Sequence, residues 1–179
     1  MANYPDPHRL GFRHTDFTDH EGGGYCASKS NGRIKGWDDL IDQHANALAL
    51  LVDAAVDSGD VWGLTRPVLF ESHHICELAL KRLLAQHRQT SRSHKLGTLW
   101  SQASPLLPQR ISKGDRTWLD VFVREMGELT NDGQDGRFPD ATTDISAKWC
   151  CLNIPELALC IGTFLLILRG SRRRPHAAV

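Results

Sequence analysis

Three side chains with useful chemistry recur at helical spacing in the middle of the chain. His74, Glu77 and Lys81 are separated by three and four residues, so a helix would place them on one side. A histidine can exchange protons near neutral pH, and a lysine can bind a phosphate group. The pattern predicts a polar surface that either binds a phosphate-bearing ligand or forms an intramolecular ion network with no ligand.

More cationic groups follow where this helical pattern stops. Residues 89–93 read as a polar linker, and Arg92 and Lys95 lie in and just after it. Residues 78–114 contain seven Lys or Arg and no acid, whereas residues 37–65 contain six aspartates and no Lys or Arg. This asymmetry predicts one basic face and one acidic helix. Two solvated helix faces, or a self-complementary dimer surface, explain the same pattern.

The elements that would position these groups are helices. One stripe recurs at alternating spacings of four and three, namely Leu69, His73, Cys76, Leu80, Leu83 and His87. This helix is predicted to start near Arg66-Pro67, because proline is tolerated in a first turn. Ser93 is predicted to cap the next helix, which would start at His94. His73 borders the apolar stripe and is expected to be a hydrogen-bonded interior residue.

The remaining helices follow from apolar periodicity and turn residues. They are predicted at about 38–57, 93–103, 114–129 and from 155 onward. Asp38 or Asp39 is expected to cap the first of them. The last is apolar on nearly every side, so we expect it to sit centrally. The predicted fold class is all-α, an up-and-down bundle of four to five helices.

The ends of the chain and one internal stretch lack this periodicity. Residues 1–36 are predicted to be an irregular N-terminal arm, residues 37–169 the helical bundle, and residues 170–179 a basic disordered tail. Residues 131–147 read as an acidic loop, and residues 149–154 as a strap before the last helix. The chain is therefore predicted to contain one folded domain.

Composition excludes several classes of protein. The 179 residues carry no net charge, and the five cysteines show no CxxC spacing, which is typical of a cytoplasmic protein with reduced thiols. No N-terminal signal peptide is apparent, and the apolar stretch 157–168 is too short to cross a membrane. No phosphate-binding loop, dinucleotide fingerprint or zinc-ligand motif occurs. His8, His14, His20 and Cys26 recur every six residues, which is no established ligand spacing. We expect neither a metal nor a cofactor.

The central stretch HHICELALKRLL, a polar break and SHKLGTLW resembles the helix–turn–helix signature of HEPN domains (higher eukaryotes and prokaryotes nucleotide-binding). Many members read roughly H-x-x-E-L-x-L-K-x-L-L, a linker, then H-x-L-x-x-L. The matching positions are His74, Glu77, Leu78, Leu80, Lys81, Leu83, Leu84, His94, Leu96 and Leu99. Arg137-Phe138-Pro139 is similar to an R-Y-P element of some members. The resemblance covers roughly residues 38–169.

The resemblance implies a helical bundle that pairs as a homodimer. Ribonuclease members carry an Arg and a His separated by four to six residues, and the two copies meet across a dimer cleft for metal-independent RNA cleavage. About 2.3 such pairs are expected by chance here. The sequence contains six, of which Arg88–His94 spans the turn between two helices and lies in the basic stretch. The alternative, which we favour, is that His94 stabilises the start of its helix.

The sequence therefore predicts an HEPN-like module that binds a nucleotide, RNA or an antitoxin-like protein partner, in a stress or phage-defence system. Candidate ligand-binding residues are His74, Glu77, Lys81, Arg92, Lys95 and Arg137. One alternative is a toxin-like, metal-independent ribonuclease in which Arg88 and His94 form the catalytic pair. Another is a purely structural interaction domain.

Overall fold

A computed structural model describes residues 36–59, 61–130 and 152–170. The predicted N-terminal arm with its histidines, the acidic loop that carries Arg137, most of the strap and the arginine-rich tail lie outside these ranges. Within them the chain forms five α-helices and no strand, so the all-α prediction is confirmed. The helices are α1 (Trp37–Ser58), α2 (Val61–Gln86), α3 (Leu96–Ala103), α4 (Lys113–Leu129) and α5 (Ile154–Arg169), with a 3-10 turn at Ser104–Leu106 after α3.

Helices α1 and α2 form an antiparallel hairpin. Gly59 ends α1 with φ of 67°, the left-handed conformation that glycine adopts at least cost. Early residues of α1 then pair with late residues of α2. Asp38 binds the Arg82 guanidinium at 2.8 Å, and His44 lies 2.8 Å from the Glu71 carboxylate. The end of α2 therefore lies beside the start of α1.

The predicted start of α2 is wrong by about five residues. The helix begins at Val61, and Pro67 lies inside it. Proline removes one backbone hydrogen bond and crowds the preceding turn, which is why the sequence favoured a start near Arg66. Leu64 is partly buried against the core in the structure. Burial of this apolar side chain favours the additional helical residues upstream of the proline.

The central helix is α2, rather than the last helix as its apolar composition suggested. Helix α2 packs against α1, α3, α4 and α5, and every residue from Ile75 to Leu80 is buried. The predicted stripe of α2 is buried except for His87. Helix α5 keeps one side open, where Leu159 is 65% exposed. Part of the apolar surface of α5 is therefore not buried by the other described helices.

Capping residues fix the other helix ends, with two corrections. Helix α3 begins at Leu96, two residues later than predicted, although the Ser93 hydroxyl does accept a backbone N–H, that of Lys95 at 3.1 Å. The cap of α1 is Gly36, so Asp38 and Asp39 lie in the first turn instead. Ser112 and Asn153 cap α4 and α5 through their side chains. The α4 stripe Leu119, Phe122, Met126 and Leu129 is buried as predicted.

Candidate functional site

A buried carboxylate on α2 is the centre of the candidate site. The Glu77 side chain is only 4% exposed, and its Oε1 atom accepts hydrogen bonds from Lys81 Nζ at 2.8 Å and from His94 Nδ1 at 2.9 Å. Burial alone raises the pKa of Glu77. The hydrogen bonds and positive charges of Lys81 and His94 outweigh that effect, so the pKa lies below its ordinary value. Glu77 is therefore ionised at neutral pH, and it lies on the same side of α2 as Lys81, as the spacing of four residues predicts.

His94 is the only part of this cluster that faces solvent substantially. Its side chain is 62% exposed, compared with 17% for Lys81. An ionised carboxylate can only accept, so the proton of the 2.9 Å hydrogen bond resides on Nδ1 of His94. The imidazole is thus held at one nitrogen, while Nε2 lies on the opposite edge of the ring.

His73 fixes the backbone of His94 from inside the core. It is 2% exposed, and its Nε2–H donates to the His94 carbonyl at 3.1 Å. The Nδ1 atom of His73 lies 2.8 Å from the Thr130 hydroxyl, which itself donates to the Met126 carbonyl at 2.7 Å. His73 therefore connects α2, the α2–α3 linker and the end of α4, and its prediction as a hydrogen-bonded interior residue is confirmed.

The predicted polar stripe of α2 divides between two places. The ring of His74 lies edge-on to His44 of α1, with centroids 4.6 Å apart, and stacks over Phe70 at 6.0 Å. It belongs to the α1–α2 interface, whereas Glu77 contacts both Lys81 and His94. In the described ranges, no group of three or more His, Cys, Asp or Glu side chains is arranged to hold a metal ion.

Arg88 occupies a special backbone position at the end of α2. Its φ is 58°, and it is the one non-glycine residue with positive φ in the described part of the chain. The Arg88 N–H donates to Ala85 O at 3.0 Å, and the Gln89 N–H donates to Leu84 O at 2.9 Å. This pair of bonds is a Schellman motif, in which glycine normally supplies the left-handed residue. An arginine side chain is held there against that preference.

We expect Arg88→Gly to stabilise the fold by about 1 kcal/mol, because glycine has no Cβ to oppose the left-handed conformation. Urea unfolding would measure the change. Arg88→Ala is the matched control, since it removes the same charge and keeps the Cβ. Equal stability of the glycine and alanine variants would show that the turn carries no such strain.

Arg92 and Lys95 lie in the exposed linker, as does Arg88 at its start. None of the three makes an ion pair within the described residues. Two arginines at the same end of the bundle are paired instead, Arg82 with Asp38 and Arg169 with Asp42 at 2.6 Å. The linker thus presents three uncompensated cations beside His94. We name residues 88–95 the basic linker.

Sequence reasoning missed two contacts that define this site. The Glu77–His94 hydrogen bond spans 17 positions, and the His73–Thr130 bond spans 57. Spacing along one helix predicts neighbours on that helix, and it carries no signal for a partner beyond a linker. Arg88 and His94 both belong to the basic linker, but they make no hydrogen bond with each other in the structure. Arg137 lies outside the described residues.

Comparison with known proteins gives no further assignment, because no family model, curated protein or solved structure matches this chain. The similarity to HEPN domains thus stays a prediction based on the quoted residues. Among the helices of the described ranges, none combines the length and apolarity needed to cross a bilayer.

Proposed function

We propose that this chain is an HEPN-like helical module that binds the phosphate groups of a nucleotide or RNA at the basic linker. The observation that carries the proposal is the set of exposed cations Arg88, Arg92 and Lys95, which have no ion-pair partner in the described structure. Phosphate contacts by Lys and Arg supply most of the sequence-independent affinity for nucleic acid. Pairing as a homodimer, as the resemblance implies, would place two such linkers on one particle.

The backbone conformation of Arg88 also supports a binding role for the basic linker. A helix end that favours glycine holds an arginine in the left-handed conformation, at a cost of roughly 1–2 kcal/mol. Outliers of this kind concentrate at binding and switch sites, where they are part of the function. At the opposite end of the linker, two hydrogen bonds fix the position of His94.

Fluorescence anisotropy with a labelled single-stranded RNA and a labelled nucleotide, at low salt, tests the binding. We expect saturable binding by the full chain, and Arg92→Ala with Lys95→Ala should weaken it at least tenfold. The control is Lys113→Ala with Arg124→Ala, which removes two exposed cations from α4 and should change the affinity by less than about twofold. Absence of saturable binding, or an equal loss in both double variants, would contradict the proposal.

A second candidate function is metal-independent RNA cleavage by Arg88 and His94. It is favoured by the Glu77–His94 hydrogen bond, because a carboxylate that orients an imidazole is a common partner in acid–base catalysis. RNA cleavage in the presence of EDTA, compared between the wild type and His94→Ala, tests it. Undiminished cleavage by the variant would remove His94 from the mechanism. Blank results in both the binding and cleavage assays would favour a structural interaction domain.

A further inference from the structure

Two hydrogen-bond donors that differ in solvent exposure contact the Glu77 carboxylate. Both hydrogen bonds converge on Oε1, and Oε2 is buried without a hydrogen-bond partner in the described structure. Lys81 follows Glu77 by one helical turn, and its Nζ atom lies 2.8 Å from the carboxylate. Glu77 thus has a cationic partner on its own helix. A neutral imidazole with its proton on Nδ1 can also act as the second donor.

A neutral imidazole in this position has one possible tautomer. Its single proton must lie on Nδ1 to reach Glu77 at 2.9 Å, so Nε2 carries a lone pair. The backbone of the same residue is fixed independently by His73, whose Nε2–H donates to the His94 carbonyl. The ring can therefore turn away from Glu77 only by losing the hydrogen bond at Nδ1. Free histidine prefers the opposite tautomer, so the Glu77 contact works against the intrinsic preference.

We propose that Glu77 is a positioning residue that holds His94 in the Nδ1–H tautomer, so that an unprotonated Nε2 faces solvent beside the basic linker as a proton acceptor. Lys81 pairs with the same carboxylate from the same helix. When Nε2 accepts a proton, the resulting imidazolium remains hydrogen-bonded to the Glu77 carboxylate. The tautomer follows from the contacts alone, whereas its use on a bound RNA or nucleotide rests on the proposed function.

Nitrogen-detected or long-range ¹H–¹⁵N NMR on the full-length protein measures the tautomer of each histidine. At alkaline pH, where an ordinary imidazole is neutral, we expect the His94 Nε2 to resonate as an unprotonated nitrogen and Nδ1 as a protonated one. His87 is the internal control, since it is exposed directly after α2 and has no carboxylate partner in the described residues. It should show the ordinary Nε2–H tautomer. A His94 signal like that of His87 would overturn the proposal.

A double variant separates positioning from folding. Glu77→Leu alone would leave Lys81 unpaired, but Glu77→Leu with Lys81→Met replaces the whole ion pair by apolar side chains, an exchange that is often neutral or stabilising. We expect His94 to revert to the Nε2–H tautomer in this variant. If the wild type cleaves RNA in EDTA, the rate should fall at least tenfold while Arg92 and Lys95 remain. Retention of the Nδ1–H tautomer in the double variant would exclude Glu77 as its cause, whatever the binding and cleavage assays show.

Discussion

Replacement of His73 by alanine is expected to lower the free energy of unfolding by about 4 kcal/mol. The change removes a buried ring and leaves the His94 carbonyl without its side-chain donor. The Thr130 hydroxyl loses its contact with the ring and keeps its hydrogen bond to the Met126 carbonyl. For a chain of this length, the midpoint of thermal unfolding should fall by roughly 8–16 °C. Urea and thermal unfolding followed by circular dichroism would measure both quantities.

His87→Ala is the matched control for this change. His87 follows the last residue of α2 and is exposed, so its truncation should alter the free energy of unfolding by less than about 0.5 kcal/mol. A similar small effect for His73→Ala would contradict the role of His73 as the residue that connects α2, the linker and the end of α4.

The second large effect concerns the charge of Glu77. At neutral pH, Glu77→Gln should destabilise the fold by about 3 kcal/mol, because the partly buried Lys81 ammonium loses its counter-charge. The pKa of Glu77 is lower in the folded chain than its ordinary value. Its contribution is therefore complete above the ordinary glutamate pKa and is lost as the pH falls through the lower, folded value.

We accordingly expect the stability difference between the wild type and Glu77→Gln to shrink as the pH falls below about 4. Denaturant unfolding between neutral pH and pH 3 would measure it. Glu125→Gln is the control, because Glu125 is much less buried than Glu77 and its ion pair with the exposed Arg124, at 3.4 Å, contributes little. If the difference between the wild type and Glu77→Gln stays constant over this pH range, the carboxylate charge is not what stabilises the fold.

Much of the fold could be predicted because its signals are local. The end of α1 at Gly59 and the stripe of α4 are properties of consecutive residues, and the structure has both. The start of α2 could not be predicted, because burial of Leu64 outweighs the local effect of Pro67. The central position of α2 likewise depends on which helices surround it, and mean apolar composition pointed to α5 instead.

Only the part of the candidate site that lies on one helix could be predicted from the sequence. The Glu77–Lys81 pair follows from a spacing of four residues. His74 has a similar spacing, yet its ring packs against His44, because α1 covers that side of α2. The partner of Glu77 across the linker depends on how residues 87–95 fold back over α2. Only tertiary structure specifies that path, so His94 could be selected as a candidate but not connected to Glu77.

The central claim is that phosphate groups bind at the basic linker, and an NMR titration of the ¹⁵N-labelled full-length protein with a short single-stranded RNA tests it most directly. We expect saturable chemical-shift changes concentrated on the backbone of residues 88–95 and on the His94 ring, and smaller changes elsewhere. Unchanged signals from residues 88–95 at saturating RNA, or changes concentrated on other helices, would contradict the claim.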